Sequence, residues 1–136
     1  PEESETDFQS TLQLLDKIKF INSYSFIFSP RPGTVASDLK LISKETSQKR
    51  LEIIQNLLFE DQIKKNKSLE NKIISVLVEN QMKDKKKLFG RSEHMTSVIF
   101  DGKEENIGKL IPVKIVSSNK NTLFGEMIEN YDKKVA

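Results

Sequence analysis

The run Asn71–Asn80, NKIISVLVEN, decides how the second half of the chain folds. Ile74, Val76 and Val78 alternate with Ser75, Leu77 and Glu79, the period of two expected of a half-buried strand. Towards the C-terminus, His94–Phe100, Leu110–Val116 and Thr122–Ile128 read as further short strands. Asp101-Gly102 and Ser118-Asn119-Lys120-Asn121 supply turn chemistry between them. Four or five short strands within about 60 residues predict a small closed antiparallel β-barrel of OB-like character.

Next to that first strand the composition turns cationic. Lys83, Lys85, Lys86 and Lys87, followed by Arg91, flank Leu88-Phe89-Gly90 on an expected loop between the first two barrel strands. Cations bordering an aromatic ring suit RNA, with charge for phosphates and a ring for a base. The plain alternative is a solvated lysine-rich loop with Phe89 in the core, and the residues alone leave both open. Lys114 and Lys120 extend the patch if their side chains face outward. Residues 67–136 carry 13 Lys and Arg against 10 Asp and Glu, whereas residues 1–66 carry 9 against 10. The positive excess thus lies in the half expected to meet a polyanion.

Upstream, about Glu45 to Lys65 reads as a long surface helix. Leu51, Ile54 and Leu58 form one apolar row, with Ile53 and Leu57 beside it. Asn66-Lys67-Ser68 is the expected junction with the barrel, and no internal repeat is evident. Further back lies Tyr24–Ala36, YSFIFSPRPGTVA, in which Tyr24, Phe26 and Phe28 alternate as in a strand before Pro30-Arg31-Pro32-Gly33 ends it. Pro32 restrains Arg31 to an extended backbone, and Gly33 permits a turn with positive φ. Ser4 and Asp7 have capping-box spacing, and Phe8, Leu12, Leu15 and Ile18 follow at helical intervals. Helix then strand fits the last pieces of a parallel barrel, whose unpaired edges would be exposed here. Arg31 would sit just beyond the strand's carboxyl end, where such barrels keep their binding groups. The plain alternative is an edge strand with a solvated Arg31.

The composition excludes several kinds of chemistry. With 36% hydrophobic and 31% charged residues and a mean hydropathy of −0.49, the chain reads as soluble with a modest core. No apolar run approaches the roughly 20 residues that span a bilayer. An opening of Pro1 and acidic residues reads as a piece of a longer protein, without a signal peptide. There is no cysteine for disulfides, nucleophilic catalysis or iron–sulfur ligation, and His94 is the only histidine. No carboxylate pair lies in an apolar stretch, and the five glycines form no phosphate-binding loop.

Two stretches carry a family resemblance. SFIFSPRPGTVA resembles the segment closing the radical-SAM barrel of the tRNA methylthiotransferases, where F-x-Y-S-P-R-P-G-T-x-A is typical, with Phe28 in place of the tyrosine. NKIISVLVEN, LFGRSEHMTSVIFDG (Leu88–Gly102), IGKLIPVKI (Ile107–Ile115) and LFGEMI (Leu123–Ile128) resemble a TRAM domain. The match reaches back to PEESETDF at the start, so it covers nearly the whole chain.

The resemblance implies an α+β chain made of the end of a radical-SAM barrel (1–42), a linking helix (43–66), a TRAM domain (67–130) and a tail (131–136). It implies a cytoplasmic enzyme that uses S-adenosylmethionine and two 4Fe-4S clusters to methylthiolate N(6)-dimethylallyladenosine beside the tRNA anticodon. The cluster cysteines would lie upstream, so this chain is expected to hold no cluster, metal or catalytic residue and to be inactive alone. Arg31 becomes the candidate for S-adenosylmethionine or substrate at the barrel mouth. Lys85, Lys86, Lys87, Phe89, Arg91, Lys114 and Lys120 become candidates for tRNA contact, with the anticodon stem-loop as partner, no membrane and a monomeric state. The rivals are a sister enzyme acting on threonylcarbamoyl-adenosine or a ribosomal protein, and a stand-alone RNA-binding module.

Overall fold

The computed structural model describes residues 1–84 and 86–128. Lys85, residues 129–130 and the expected tail at 131–136 lie outside the described residues. The chain divides after Asp61 into two units, taken separately.

In the second unit five strands close into a barrel: β1 (Ile73–Gln81), β2 (Lys87–Ser92), β3 (Ser97–Asp101), β4 (Leu110–Ser118) and β5 (Thr122–Met127). Their order is β1-β2-β3-β5-β4, with β4 pairing back onto β1. The expected all-antiparallel barrel is corrected at one place, because β3 and β5 run parallel. An odd number of strands cannot alternate direction all the way round a closed ring, so one ladder has to be parallel. β2 is a further correction: Leu88-Phe89-Gly90 and Arg91 lie in a strand, not a loop. The strand expected from His94 begins at Ser97, and His94 sits on the β2–β3 turn.

The core follows from side-chain alternation. Val76 and Val78, Leu88, Val98 and Phe100, Ile111, Val113 and Ile115, and Leu123 all point inward and are at most 7% exposed. Burying each contributes about 1.5–3 kcal/mol for the larger aliphatic and aromatic side chains. A short repeat that the sequence reading passed over organises two corners. Leu88-Phe89-Gly90 on β2 and Leu123-Phe124-Gly125 on β5 each put Leu inward and face a strand carrying an irregular register, at Val78/Asn80 on β1 and Ile115/Ser117 on β4. Both glycines are required by close approach. A Cβ on Gly90 would lie 2.4 Å from the Leu77 carbonyl oxygen, and one on Gly125 2.6 Å from that of Lys114.

The first unit is helical with one irregular stretch. Helix α1 (Glu5–Ile18) starts with the expected capping box: the Asp7 amide donates to Ser4 Oγ at 3.2 Å, and the Ser4 amide to Asp7 Oδ2 at 2.9 Å. It ends at Lys19, whose φ is 55°. Helix α2 (Lys44–Lys67) starts where the Thr46 amide donates to Ser43 Oγ, and Leu58 is buried on its apolar row. Ile53, expected on that face, is 48% exposed. Arg50 of α2 donates to the carboxylates of Glu3 and Glu5 and lies over the buried Phe8 ring.

The strand expected at Tyr24–Phe28 is not formed within this chain. Residues 23–31 belong to no helix or ladder, and Tyr24 and Phe26 are 90% and 83% exposed. The alternation is that of a strand, but a strand needs a neighbour to pair with, and this segment has none among the described residues. Gly33 has the expected positive φ, 80°.

Candidate nucleic-acid interface

β2 presents Lys87, Phe89 and Arg91 on its outer side because Leu88, Gly90 and Ser92 turn inward. Phe89 is therefore outside the hydrophobic core and half-buried at the barrel surface, and the Arg91 guanidinium lies over it, 5.4 Å from the ring centroid. The row continues sideways, with Phe89 opposite Ile99 on β3 and Ile99 opposite Phe124 on β5. Side chains in directly opposed positions are near neighbours, so an apolar row with an aromatic at each end crosses three strands.

Arg91 is held in place from two sides. Glu79 accepts a charged contact from its Nε at 3.4 Å, and the Met95 carbonyl accepts a hydrogen bond from Nη1 at 3.1 Å. Glu79 falls where the β1–β2 register shifts, a position at which a strand re-aims its side chain. Met95 closes the β2–β3 turn with a φ of 61°, its amide donating to the Ser92 carbonyl at 2.9 Å. Neither Glu79 nor Met95 was readable as part of the site, since a register shift aims the Glu79 carboxylate and Met95 acts through its backbone carbonyl. Phe124 was readable in part, from the doubled L-F-G.

Two loops border this row. The β1–β2 loop is pinned by Asp84, whose Oδ1 accepts from the amides of Lys86 and Lys87 at 3.2 and 3.1 Å. Lys86 and Lys87 are both exposed, with Lys87 opposite Asp101 across the β2–β3 ladder. Lys85 lies outside the described residues. The β4–β5 loop carries Lys120 and is tied down from beneath. Asn66, 3% exposed, donates to the carbonyls of Asn119 and Lys120, and Asn119 Oδ1 accepts from the amides of Asn121 and Thr122. Beside it, Glu70 receives Lys67 Nζ at 2.7 Å and the Ser118 hydroxyl at 2.8 Å, which together hold its carboxyl below the usual carboxylate range.

The remaining candidates lie elsewhere. Lys114 is exposed on β4, between Ile73 of β1 and Glu126 of β5, and does not join the β2–β3 face. Arg31, in the first unit, is exposed, and its carbonyl accepts from the Thr34 amide and hydroxyl. Among the described residues no group of three or more His, Cys, Asp or Glu is placed to hold a metal, and no helix is long and apolar enough to cross a membrane. With no cysteine in the sequence, the chain has no thiolate to offer an iron–sulfur cluster. The β2–β3 face and the β1–β2 and β4–β5 loops are where OB-fold barrels bind oligonucleotides.

The barrel and the chain as a whole resemble known proteins. Residues 67–128 match the TRAM domain. The whole chain is 68% identical to a protein of Pelagibacter ubique (strain HTCC1062) named tRNA-2-methylthio-N(6)-dimethylallyladenosine synthase, covering 30% of its length. Proteins of the same name in Buchnera aphidicola subsp. Baizongia pistaciae (strain Bp) and Ruthia magnifica subsp. Calyptogena magnifica are 42% and 37% identical, over 98% and 94% of this chain. The chain spans about 30% of the length of these relatives. The chain is thus similar to a part of these synthases, and its barrel matches the TRAM domain.

Proposed function

We propose that this chain is the tRNA-gripping part of a cytoplasmic enzyme that methylthiolates N(6)-dimethylallyladenosine next to the anticodon. The observation that carries the reading is the outer face of β2, where Lys87, Phe89 and Arg91 stand beside the exposed Lys86 on an OB-like barrel. The relatives' names supply the reaction and the modified nucleoside, and favour this substrate over threonylcarbamoyl-adenosine or a ribosomal protein. S-adenosylmethionine and two 4Fe-4S clusters belong to the proposal for the whole enzyme, held by residues outside this chain. Residues 1–42 are assigned to the end of its barrel, 43–66 to the linking helix, 67–130 to the TRAM domain and 131–136 to a tail. Arg31 is assigned to the barrel mouth, and the whole is taken to act as a monomer.

Charge supplies most of the grip in this reading. Lys86, Lys87 and Lys120, with Lys85, meet phosphates, while Glu79 partly neutralises Arg91. The test is binding of an anticodon stem-loop to the 136-residue chain across a salt series. Replacing Lys85, Lys86, Lys87 and Lys120 by alanine should weaken binding broadly and flatten the slope of log affinity against log salt by up to about three units, at roughly 0.7 per lost contact. Unchanged affinity and unchanged slope would overturn the assignment.

A further inference from the structure

We infer that Phe89, with Arg91 over it and Glu79 holding Arg91, is a stacking site for an unpaired base, so that the barrel takes single-stranded loop nucleotides in preference to a double-stranded stem. This rests on the RNA-binding reading and gives it a substrate class. The argument starts from what each group offers. Phe89 lies outside the core, on the apolar row that runs to Ile99 and Phe124. Arg91 is 35% exposed, with the Glu79 carboxylate 3.4 Å from its Nε. A carboxylate at that distance repels a phosphate but does not repel a neutral base.

Arginine planes and aromatic rings are the surfaces on which splayed bases stack. Bases inside an A-form duplex are out of reach of such a surface, because the deep groove excludes side chains and the stacked faces are covered. A surface meant for stems alone needs only its lysines. Here the bulge at Glu79 and the left-handed turn at Met95 both direct groups onto Arg91, keeping the guanidinium over the ring. Glu79 is therefore a positioning residue, and Phe89 with Arg91 is the contact.

The experiment compares two RNAs on the 136-residue chain: a stem-loop, and the same strand closed into a blunt duplex by its complement. The wild type should bind the stem-loop about tenfold more tightly. Phe89→Leu should lower stem-loop affinity to the duplex level, leaving duplex binding and both salt slopes unchanged. Glu79→Gln keeps the ring and releases Arg91. It should reduce the loop preference and steepen the salt slope by up to about 0.7, as Arg91 reaches a phosphate instead. Thermal melting first establishes that each variant is folded. If Phe89→Leu does not fold, Glu79→Gln decides alone, and an unchanged loop preference overturns the inference. Equal binding of the two RNAs by the wild type, or a folded Phe89→Leu without effect, also overturns it, while salt-dependent binding leaves the RNA-binding reading standing. If neither RNA binds at low salt, that reading fails as well.

Discussion

Val76–Val78 and Tyr24–Phe28 have the same alternating grammar and meet opposite fates. The first lies in a strand paired on both sides within a closed barrel, and its inward residues are at most 1% exposed. The second belongs to no ladder, and its aromatics are largely exposed. Periodicity records which side chains share a face. Pairing depends on whether the partner strands are on the same chain. The barrel carries all five of its strands, so its pattern becomes structure. The Tyr24–Phe28 pattern fits a sheet whose other strands lie elsewhere.

The largest expected effect tests that contrast directly. Leu88→Ala empties a fully buried site and should cost about 2–5 kcal/mol. Phe26→Ala removes a larger side chain that is 83% exposed and should change stability by less than about 0.5 kcal/mol. Chemical denaturation of both variants measures the difference. Equal costs would mean that the extended segment is packed.

Glycines sharpen the comparison at a smaller scale. Gly90→Ala pushes a methyl group against the Leu77 carbonyl and Val76 Cγ1, atoms of a closed barrel that have little room to yield. A loss of about 1–3 kcal/mol is expected from overpacking of this kind. Gly33→Ala meets no atom within 4 Å and carries only the strain of its positive φ, about 1 kcal/mol. If Gly90→Ala is neutral, β1 and β2 are not as close as described.

These residues also show how much was legible beforehand. β1 and β4 were readable because their inward residues are all large and apolar. β2 was missed because two of its three inward residues are Gly90 and Ser92, and its first residue ends a lysine run. The absence of a side chain at Gly90 reflects how closely β1 passes, which a single strand's sequence does not display. The cationic patch was legible as composition, but its sorting was not. Lys114 is separated from β2 by strand order, and Arg91 is engaged by Glu79 because of a bulge. Asp7 and Ser4 were fully legible, since a capping box is a local device four residues long.

The smallest expected effect is acid sensitivity, present in both units for different reasons. The Ser4 hydroxyl, then its amide, lowers the Asp7 carboxyl below its ordinary range. Lys67, then Ser118, does the same for Glu70 beside the barrel. A depressed carboxyl stabilises the fold above the unfolded value, and that contribution is lost as pH falls through the folded one. Stability should therefore decline on acidification below the ordinary carboxylate range, only slightly, because both groups are solvent-screened. Asp7→Asn should remove the capping-box part of that pH dependence, read by circular dichroism, and leave the Glu5 and barrel parts in place. An unaltered profile would mean that the capping box does not operate in solution.

The central claim is that RNA meets the β2–β3 side of the barrel. Amide NMR spectra of the labelled chain, titrated with an anticodon stem-loop, test it most directly. The account predicts shift changes concentrated at residues 83–91, 97–101 and 118–121. Changes centred instead on the β1–β4 side, at residues 73–77 and 110–116, or on residues 23–36, would contradict it.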